Sequence, residues 1–366
     1  MIVKAISLYS IELTSHQVYR MSDGKVADSL PSLILKIETD TGIIGWGEAC
    51  PLPHYLPAYP GGILPAIAEM APILIGSDPA GPEAVMAKLN THLLGHAYAK
   101  SLVDIALWDI TGKVAGMPIY RLLGGLQQDK MPLYHSITCI DPHEMAAIAT
   151  DAFESGIRQF QVKLGADQDW EADVARMRLV REAVGSGPLV YGDWNNGSTT
   201  LDAIRTARAI RHLDVMLEQP CPTISECASV KNATGLPMKL DEAAFDMASL
   251  MAGYAAGCLD AVAIKLSKFG GLSACRQARD FCTQIGTKMC IEDTWGSDIA
   301  TIAALHLGAS TQPRNLLNVC DLSGYVSPRL DENSPSRKEG HISVPHAPGL
   351  GITPNLDLLG SPIATF

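Results

Sequence analysis

Five charged residues in the middle of the chain each follow a short apolar run, at a spacing of about 25 residues. They are Lys163, Asp193, Glu218, Asp241 and Lys265. An apolar run followed by a helix-length segment is typical of a βα unit. Repeated at this spacing, the unit predicts a barrel of parallel strands, whose carboxyl ends meet at one face. We therefore expect the five side chains to converge there as an active site.

Eight apolar runs can be marked in the second part of the chain, which is enough to close a barrel whose interior is filled by side chains. They lie near residues 131–137, 158–164, 188–193, 214–218, 237–241, 260–265, 287–292 and 315–321. A chain of 366 residues has room for such a barrel and one more domain. We predict an α/β fold with the barrel at 129–322.

The first part of the chain predicts a different kind of domain. Strand patterns at 2–13, 30–39 and 43–48 precede helical periodicity from 63 to 116, which indicates an α+β arrangement within residues 1–128. The Pro- and Gly-rich tail at about 323–366 is expected to pack back on this domain.

Two loops can be marked in the first domain, and the second of them is a candidate for a lid or a wall over the barrel. One spans residues 16–26 and the other spans residues 50–60, where His54 and Tyr55 lie between prolines. Proline stiffens such a loop, and loops carry function disproportionately. We expect His54 and Tyr55 to face the barrel, with Tyr19 or His16 approaching from the other loop. The alternative for the loop at 50–60 is a plain surface connector.

Composition excludes several classes of function. A net charge of −11 argues against binding to nucleic acid, whose phosphates require a basic face. The nine cysteines include no Cys-x-x-Cys pair, which favours reduced thiols in a cytoplasm. No apolar run is long enough to span a membrane, and the first residues lack the pattern of a signal peptide. We expect a cytoplasmic enzyme that forms a homo-oligomer.

Three carboxylates on consecutive strand ends indicate a metal site. A single Asp or Glu after a strand is usually a helix cap or a surface charge. Asp193, Glu218 and Asp241 pointed at one centre would repel one another unless a divalent cation lay among them. Ligation by oxygen alone favours Mg²⁺, with positions left open for a substrate carboxylate.

Lys163 and Lys265 flank the predicted metal site and are candidates for acid–base catalysis. A carboxylate bound to a cation has a more acidic α-proton, because the cation stabilises the charge of the enediolate that forms. A lysine becomes a suitable base when burial and a nearby cation lower its pKa. The alternative for either lysine is a solvated surface charge or a partner for Glu242.

The same residues resemble the enolase superfamily, and in particular its branch of muconate lactonizing enzymes and dipeptide epimerases. The resemblance spans the chain and includes Gly45-Trp46-Gly47-Glu48, Leu122-Leu123-Gly124-Gly125, Lys265-Leu266-Ser267-Lys268-Phe269-Gly270-Gly271 and Pro348-Gly349-Leu350-Gly351-Ile352. It implies a (β/α)7β barrel under an N-terminal cap, with loops 16–26 and 50–60 closing the site. It also implies a Mg²⁺ site with Lys bases, and a supporting shell consisting of Gln161, Asn195, Glu242 and Lys268.

Two departures from the branch affect the expected chemistry. The usual Lys-x-Lys motif is Gln161-Val162-Lys163 here, so a positive charge beside Lys163 is missing. The dipeptide epimerases have Asp-x-Asp on the eighth strand for the substrate ammonium, whereas this chain has only Asp321 in Val319-Cys320-Asp321. A dipeptide is therefore a poor candidate, and Asp321 is expected to bind one cationic amine or to cap the last turn.

Within the branch, the chain resembles the cis-3-hydroxy-L-proline dehydratases and the proline betaine epimerases. The shared segments are Tyr134-His135-Ser136, Gln161-Val162-Lys163-Leu164-Gly165-Ala166, Ser267-Lys268-Phe269-Gly270-Gly271 and Asp293-Thr294-Trp295-Gly296. Asp293 and Trp295 are thus further candidates for substrate binding. The resemblance implies a Mg²⁺-dependent dehydratase of a small cyclic amino acid. An epimerase using the same lysines, or a non-catalytic ligand-binding relative, remains an alternative.

Overall fold

The computed structural model describes residues 1–366, and eight parallel strands form its central sheet. In chain order they are β5 (His135–Ile137), β6 (Gln159–Lys163), β7 (Leu189–Asp193), β8 (Met216–Glu218), β9 (Met238–Leu240), β10 (Ala261–Lys265), β11 (Lys288–Glu292) and β12 (Leu316–Val319). Each strand pairs with the next one along the chain. A parallel bridge between Leu133 and Val319 connects the two ends of the sheet. The sheet therefore curls into the predicted barrel.

The connections between the eight strands run through helices on the outside, as a (β/α)7β fold requires. They are α5 (Pro142–Glu154), α6 (Trp170–Val184), α7 (Thr200–Ile210), α8 (Ile224–Thr234), α9 (Met247–Ala255), α10 (Leu266–Phe269) with α11 (Leu272–Ile285), and α12 (Asp298–Ala309). None of the helices is both long and apolar enough to cross a membrane. The nine cysteines are all buried, and none forms a disulfide.

Polar residues just before the helices fix where several of them begin. The side chains of Asp141, Asp169, Thr199, Thr223 and Asp246 each accept a hydrogen bond from a backbone N–H in the first turn of the following helix. Those N–H groups have no partner within the helix, so the side-chain oxygen stabilises its first turn. The connections between strands and helices are defined by these local bonds.

Strand register places the predicted charged residues at one level of the barrel. Lys163 pairs with Asp193 across β6 and β7, and Asp193 pairs with Glu218 across β7 and β8. On the far side, Lys265 pairs with Glu292 across β10 and β11. Successive side chains of a strand point to opposite faces, so the apolar neighbours of these residues, such as Val162 and Ile264, pack outward against the helices.

The N-terminal domain is built on three long antiparallel strands. They are β1 (Val3–Arg20), β2 (Val26–Thr39) and β3 (Ile44–Ala49), followed by α1 (Ile63–Leu74), α2 (Pro82–His92), α3 (Ala97–Ala115) and α4 (Ile119–Leu122). The expectation of a long loop at 16–26 was wrong. The β1–β2 hairpin continues to the pair Arg20–Val26, with a register shift between Thr14 and Tyr19, and only the turn at Ser22–Gly24 interrupts it. The irregular register allows polar residues to continue a strand.

The tail after the barrel contacts both halves of the molecule. Its short strands β13 (Val326–Ser327) and β15 (Ala364–Thr365) pair with β1. β14 (His341–Ser343) instead pairs with β4 (Lys130–Pro132), which precedes the barrel. A last helical turn, α13, spans Leu356–Leu359. The exact division of the chain at residue 128 stays a prediction.

Two buried carboxylates from the N-terminal domain hold the starts of two barrel helices. Glu48 on β3 accepts hydrogen bonds from the backbone N–H groups of Ser297 and Ala300 at the start of α12. Asp104 on α3 accepts from the backbone N–H of Ser273 at the start of α11, at 2.8 Å. Gly271, whose φ is 114°, is required there because a Cβ would lie 2.4 Å from Oδ2 of Asp104. These bonds connect the two domains through helix ends.

Asp104 makes the stability of the fold sensitive to pH. Burial raises the pKa of its carboxyl to about 7 from the ordinary 3.8, and the hydrogen bonds from Ser273 oppose this only in part. The folded state therefore keeps a proton that the unfolded chain releases above about pH 4. The stabilisation is complete below about pH 4 and is lost as the pH rises through about 7.

We expect the free energy of unfolding of Asp104→Asn to fall less steeply between about pH 4 and 7 than that of the native chain. The difference in slope should reach at most about 1.4 kcal/mol per pH unit. Urea titrations at several pH values measure both slopes. Asp151→Asn, which alters an exposed aspartate of α5, serves as the control and should follow the native chain. Parallel curves for the native chain and Asp104→Asn would contradict the role of this carboxyl.

Candidate active site

A cavity opens at the carboxyl ends of the strands and is lined by both predicted lysines. Lys163 enters it from β6 and Lys265 from β10. These strands are four positions apart in the ring of eight, so the lysines come from opposite sides of the barrel. Both are almost fully buried. The alternative that either is a solvated surface charge is thus wrong.

The predicted metal ligands lie beside the lysines in tight ion pairs. Lys163 Nζ is 2.5 Å from Oδ2 of Asp193, and Lys265 Nζ is 2.6 Å from Oδ2 of Asp241. Lys268 Nζ donates to Oδ1 of Asp241 at 2.8 Å and to its backbone oxygen at 2.6 Å. Lys268, the second lysine of the Lys-x-x-Lys motif, therefore fixes the orientation of the Asp241 side chain.

Glu218 is held from two sides inside the barrel. Gln161 donates from Nε2 to Oε2 of Glu218 at 2.9 Å. Lys239 Nζ lies 2.9 Å from the other oxygen, Oε1. Lys239 is fully buried, with its ammonium 4.8 Å from the centre of the Tyr191 ring. Lys239 therefore supplies a positive charge next to Glu218. Residue 161, a lysine in the usual motif, is a neutral glutamine here.

Sequence reasoning overlooked Lys239, although a usable signal existed. It stands two residues before Asp241 on β9, and residues at that spacing share a face of a strand. An inward-pointing Asp241 therefore requires Lys239 to point inward as well. A lysine inside a barrel needs a carboxylate partner.

Asn195 and Glu242 form the supporting contacts around the carboxylates. The amide Nδ2 of Asn195 donates to Asp193 Oδ2 and to Glu242 Oε1, both at 3.1 Å. Asn195 adopts a φ of 44°, and its backbone N–H donates to Asp193 Oδ1 at 2.8 Å. Burial raises the pKa of Glu242 to about 8, and the charges of Asp241 and Asp193 add to the shift.

Two tyrosines of the N-terminal domain reach the cavity, as predicted for the closing loops. Tyr55 donates from its hydroxyl to Asp241 Oδ2 at 2.8 Å and also contacts Lys265 Nζ. Tyr19, on the β1–β2 hairpin, also lines the cavity. The hairpin turn is anchored by Lys25, whose ammonium donates to the backbone oxygen of Asn195 at 3.0 Å.

The two histidines named with these tyrosines do not reach the cavity. His54 and His16 are both exposed, and neither lines the cavity. His54 directly precedes Tyr55, and only the tyrosine turns toward the strand ends. On the hairpin, His16 falls within the irregular stretch of β1, where the side chain faces solvent. The prediction that His54 faces the barrel mouth was wrong, whereas on the hairpin Tyr19 is the residue of the predicted pair that approaches.

Asp321 is also not where the sequence placed it. Its carboxylate forms two hydrogen bonds with the tail residue Arg337, from Nε at 2.7 Å and from Nη2 at 3.0 Å. It is buried and does not line the cavity. The guanidinium neutralises the charge that was expected to meet a substrate amine. The sequence could not reveal this because Arg337 stands outside the barrel strands.

The end of the seventh strand, β11, and the residues directly after it line one wall of the cavity. Trp295 lines it and packs edge-on against Tyr19, with ring centres 5.2 Å apart. Asp293 lines it too, but its carboxylate accepts hydrogen bonds from the backbone N–H and hydroxyl of Ser267. Burial raises the pKa of Asp293 to about 7. Glu292, which the sequence interpretation missed, also faces the cavity.

Comparison with known proteins decides the family. Residues 10–124 match the mandelate racemase/muconate lactonizing enzyme N-terminal domain, and residues 144–358 match the enolase C-terminal domain-like family. The chain belongs to the enolase superfamily. The predicted fold and resemblance are thereby confirmed.

Individual relatives in this superfamily cover the whole chain. A cis-3-hydroxy-L-proline dehydratase from Roseibium aggregatum is 38% identical, over 100% of this chain and 99% of the relative. An N-succinyl-L-Arg/Lys racemase from Bacillus cereus is 30% identical, over 98% and 96%. A superfamily member from Roseovarius nubinhibens, solved in complex with magnesium, is similar with a TM-score of 0.94. The two sequences are 34% identical, and the similarity covers 100% of this chain and 99% of the related one.

In the present chain, the oxygen atoms near the predicted metal site suit a hard cation. Oε1 of Glu218, Oε2 of Glu242 and Oδ1 of Asn195 are buried oxygens without a hydrogen-bond donor. For Glu218 the neighbouring Lys239 ammonium is close enough for an ion pair but is not aligned for a hydrogen bond. No three His, Cys, Asp or Glu side chains are grouped closely enough to hold a metal, and Asp193 and Asp241 pair with Lys163 and Lys265 instead. Buried oxygens without donors are what Mg²⁺ requires as ligands.

Lys239 should be essential for the stability of the barrel. We expect Lys239→Met to lower the free energy of unfolding by about 3–5 kcal/mol, because it leaves Glu218 as an uncompensated buried charge. The double variant Lys239→Met/Glu218→Gln removes that charge and should recover most of the loss. Urea unfolding measures both effects. Lys231→Met, which breaks a partly exposed pair with Asp260, should cost at most about 1 kcal/mol. The role fails if the double variant is no more stable than Lys239→Met.

Proposed function

We propose that the protein is a Mg²⁺-dependent hydro-lyase that converts cis-3-hydroxy-L-proline to Δ¹-pyrroline-2-carboxylate. The observation that carries the proposal is that Lys163 and Lys265 enter one cavity from opposite sides of the barrel. One residue can then remove a proton from one face of a substrate while the other donates a proton at the opposite face. The similarity to a hydroxyproline dehydratase over the full chain supports this choice of substrate.

The stereochemistry of the proposed substrate matches two opposed lysines. In cis-3-hydroxy-L-proline the carboxylate and the hydroxyl lie on one ring face, so the α-hydrogen lies on the other. Loss of water is then an anti elimination. The lysine that acts as base takes the α-proton, and the other lysine, as an ammonium, protonates the departing hydroxyl. The enamine that forms relaxes to the cyclic imine.

The carboxylates around Lys265 favour its ammonium form when no metal ion is bound. Burial lowers its pKa, but Asp241 and Glu292 outweigh burial, and the net pKa lies above the ordinary value. A Mg²⁺ ion held by Asp241 would oppose this shift, so the single lysine variants described below decide which lysine is the acid. Tyr55 contacts the same ammonium and helps to hold it at the cavity wall.

Asp193, Glu218 and Asp241 are the residues that would hold Mg²⁺, with Glu242 and Asn195 behind them. When bound, the cation would bind the substrate carboxylate and stabilise the charge that develops as the α-proton leaves. Magnesium in the related structure from Roseovarius nubinhibens supports this assignment. The walls contributed by Tyr19 and Tyr55 exclude water and so strengthen these interactions.

An epimerase is the alternative that a specific observation favours. The relative from Bacillus cereus is a racemase and is 30% identical over nearly the whole chain. Epimerisation requires the same two opposed lysines, with the second one returning a proton to the α-carbon. The presence of both lysines in one cavity also weighs against a non-catalytic role, since binding a carboxylate does not require two such groups.

The decisive experiment compares cis-3-hydroxy-L-proline, the trans-3 isomer and L-proline in D₂O with Mg²⁺. We expect the cis isomer to lose water, and the trans isomer to react at least about 100-fold more slowly because its proton and hydroxyl leave from the same face. Proton NMR reports both products and α-deuteration. Deuteration with inversion and without loss of water would instead establish an epimerase, and equal turnover of the two isomers would exclude the proposed mechanism.

Single lysine variants test the two roles in the same assay. Lys163→Ala and Lys265→Ala should each reduce dehydration by roughly 10²–10⁴-fold, the usual contribution of a general acid or base. The variant that retains the base should still exchange the α-proton with solvent. Full dehydration activity in either variant would contradict the two-lysine mechanism.

Metal binding should depend on Asp241 far more than on Glu242. We expect Asp241→Asn to abolish the rise in melting temperature that Mg²⁺ causes in the native protein. Glu242→Gln should weaken Mg²⁺ binding by about 10–100-fold, as is usual for a residue that supports a ligand. Thermal unfolding with and without MgCl₂ measures the first effect, and calorimetric titration with MgCl₂ measures the second. If Glu242→Gln abolished binding and Asp241→Asn retained it, the two residues would have to exchange roles.

A further inference from the structure

We propose that Glu292 is the residue that binds the cationic nitrogen of the substrate and so selects amino acids over neutral ring analogues. This inference rests on the proposed function, because it assumes that a small cyclic amino acid occupies the cavity. It takes over the role that the sequence assigned to Asp321.

Glu292 lies at the centre of the catalytic wall. It ends β11 directly beside Lys265, and its side chain lines the cavity with only 2% of the residue exposed. The hydroxyl of Tyr134 donates to its Oε2 and fixes the carboxylate. The other oxygen, Oε1, has only the ammonium of Lys265 nearby, at 3.8 Å. One carboxylate oxygen is therefore oriented and still able to accept a strong hydrogen bond.

Asp293 is the other carboxylate that lines the cavity, and the protein already engages it, as it does the nearby Asp321 and Asp241. Asp293 accepts hydrogen bonds from Ser267, and Asp321 accepts them from Nε and Nη2 of Arg337. Asp241 accepts from two lysine ammonium groups. Glu292 is thus the carboxylate of this wall with capacity for a new cation.

The surroundings of Glu292 favour a charged partner. Trp295, Tyr19 and Tyr325 form an edge-to-face cluster on the same cavity, with ring centres between 5.2 and 6.4 Å apart. Such rings exclude water, and a hydrogen bond between opposite charges is stronger where water is excluded. The secondary ammonium of a proline ring has two N–H donors, so one of them can reach Glu292 Oε1.

The test measures binding of two probes to the native protein with Mg²⁺ and to its Glu292→Gln variant. L-Proline has the ring ammonium, and tetrahydrofuran-2-carboxylate has a neutral ring oxygen in its place. We expect Glu292→Gln to weaken the binding of L-proline by about 10–100-fold, which is the contribution of a charge-assisted hydrogen bond. The affinity for the oxygen analogue should change by less than about two-fold. Isothermal titration calorimetry gives both dissociation constants.

Two further variants keep the test independent of folding and of turnover. Tyr134→Phe removes only the bond that orients Glu292 and should reduce the preference for L-proline in the same direction, to a smaller extent. Asp321→Asn is the matched control and should leave the ratio of the two dissociation constants unchanged. An unchanged ratio in Glu292→Gln, or a change in Asp321→Asn instead, overturns the proposal. Because binding is measured without turnover, failure of the dehydratase assay would be seen separately.

Discussion

The burial of charge at the carboxyl ends of the strands is the constraint on which the rest of this structure depends. Asp193, Glu218 and Asp241 are all withdrawn from water, and an unpaired buried carboxylate is very costly. Each is matched by an ammonium group: Lys163 for Asp193, Lys239 for Glu218, and Lys265 with Lys268 for Asp241. Parallel strands in fixed register make this matching possible, because they hold acids and bases of neighbouring strands at one level.

Those features that depend on strand periodicity could be predicted from the sequence, and the features that depend on distant partners could not. The ends of β6, β7, β8 and β10 follow apolar runs whose length fixes which residue turns inward, so Lys163 and Asp193 were placed correctly in space. Asp321 was misplaced because its partner Arg337 comes from the irregular tail. His54 was misplaced because no periodicity governs a Pro-rich loop. Lys239 and Glu292 were overlooked, although each lies on a strand whose alternation of inward and outward side chains can be followed in the sequence.

Closure of the site is a property of both domains together. Tyr55 bonds to Asp241 and Lys265, while Lys25 at the hairpin turn bonds to the backbone of Asn195, which in turn supports Asp193. The N-terminal domain therefore does more than cover the barrel. Its residues complete the hydrogen bonding of the groups that would carry out the chemistry, in surroundings from which water is largely excluded.

The helix starts held by Glu48 and Asp104 have a consequence for how such chains diversify. In many two-domain proteins a cap can be exchanged by recombination, because only surface contacts have to be matched. Here the donor and the acceptor of buried bonds are encoded in different domains, more than 160 positions apart for both pairs. A cap that lacks acids at these two positions would leave two helices of the barrel without their carboxylates. Exchange of the cap is thus restricted to donors that carry both acids at the matching positions.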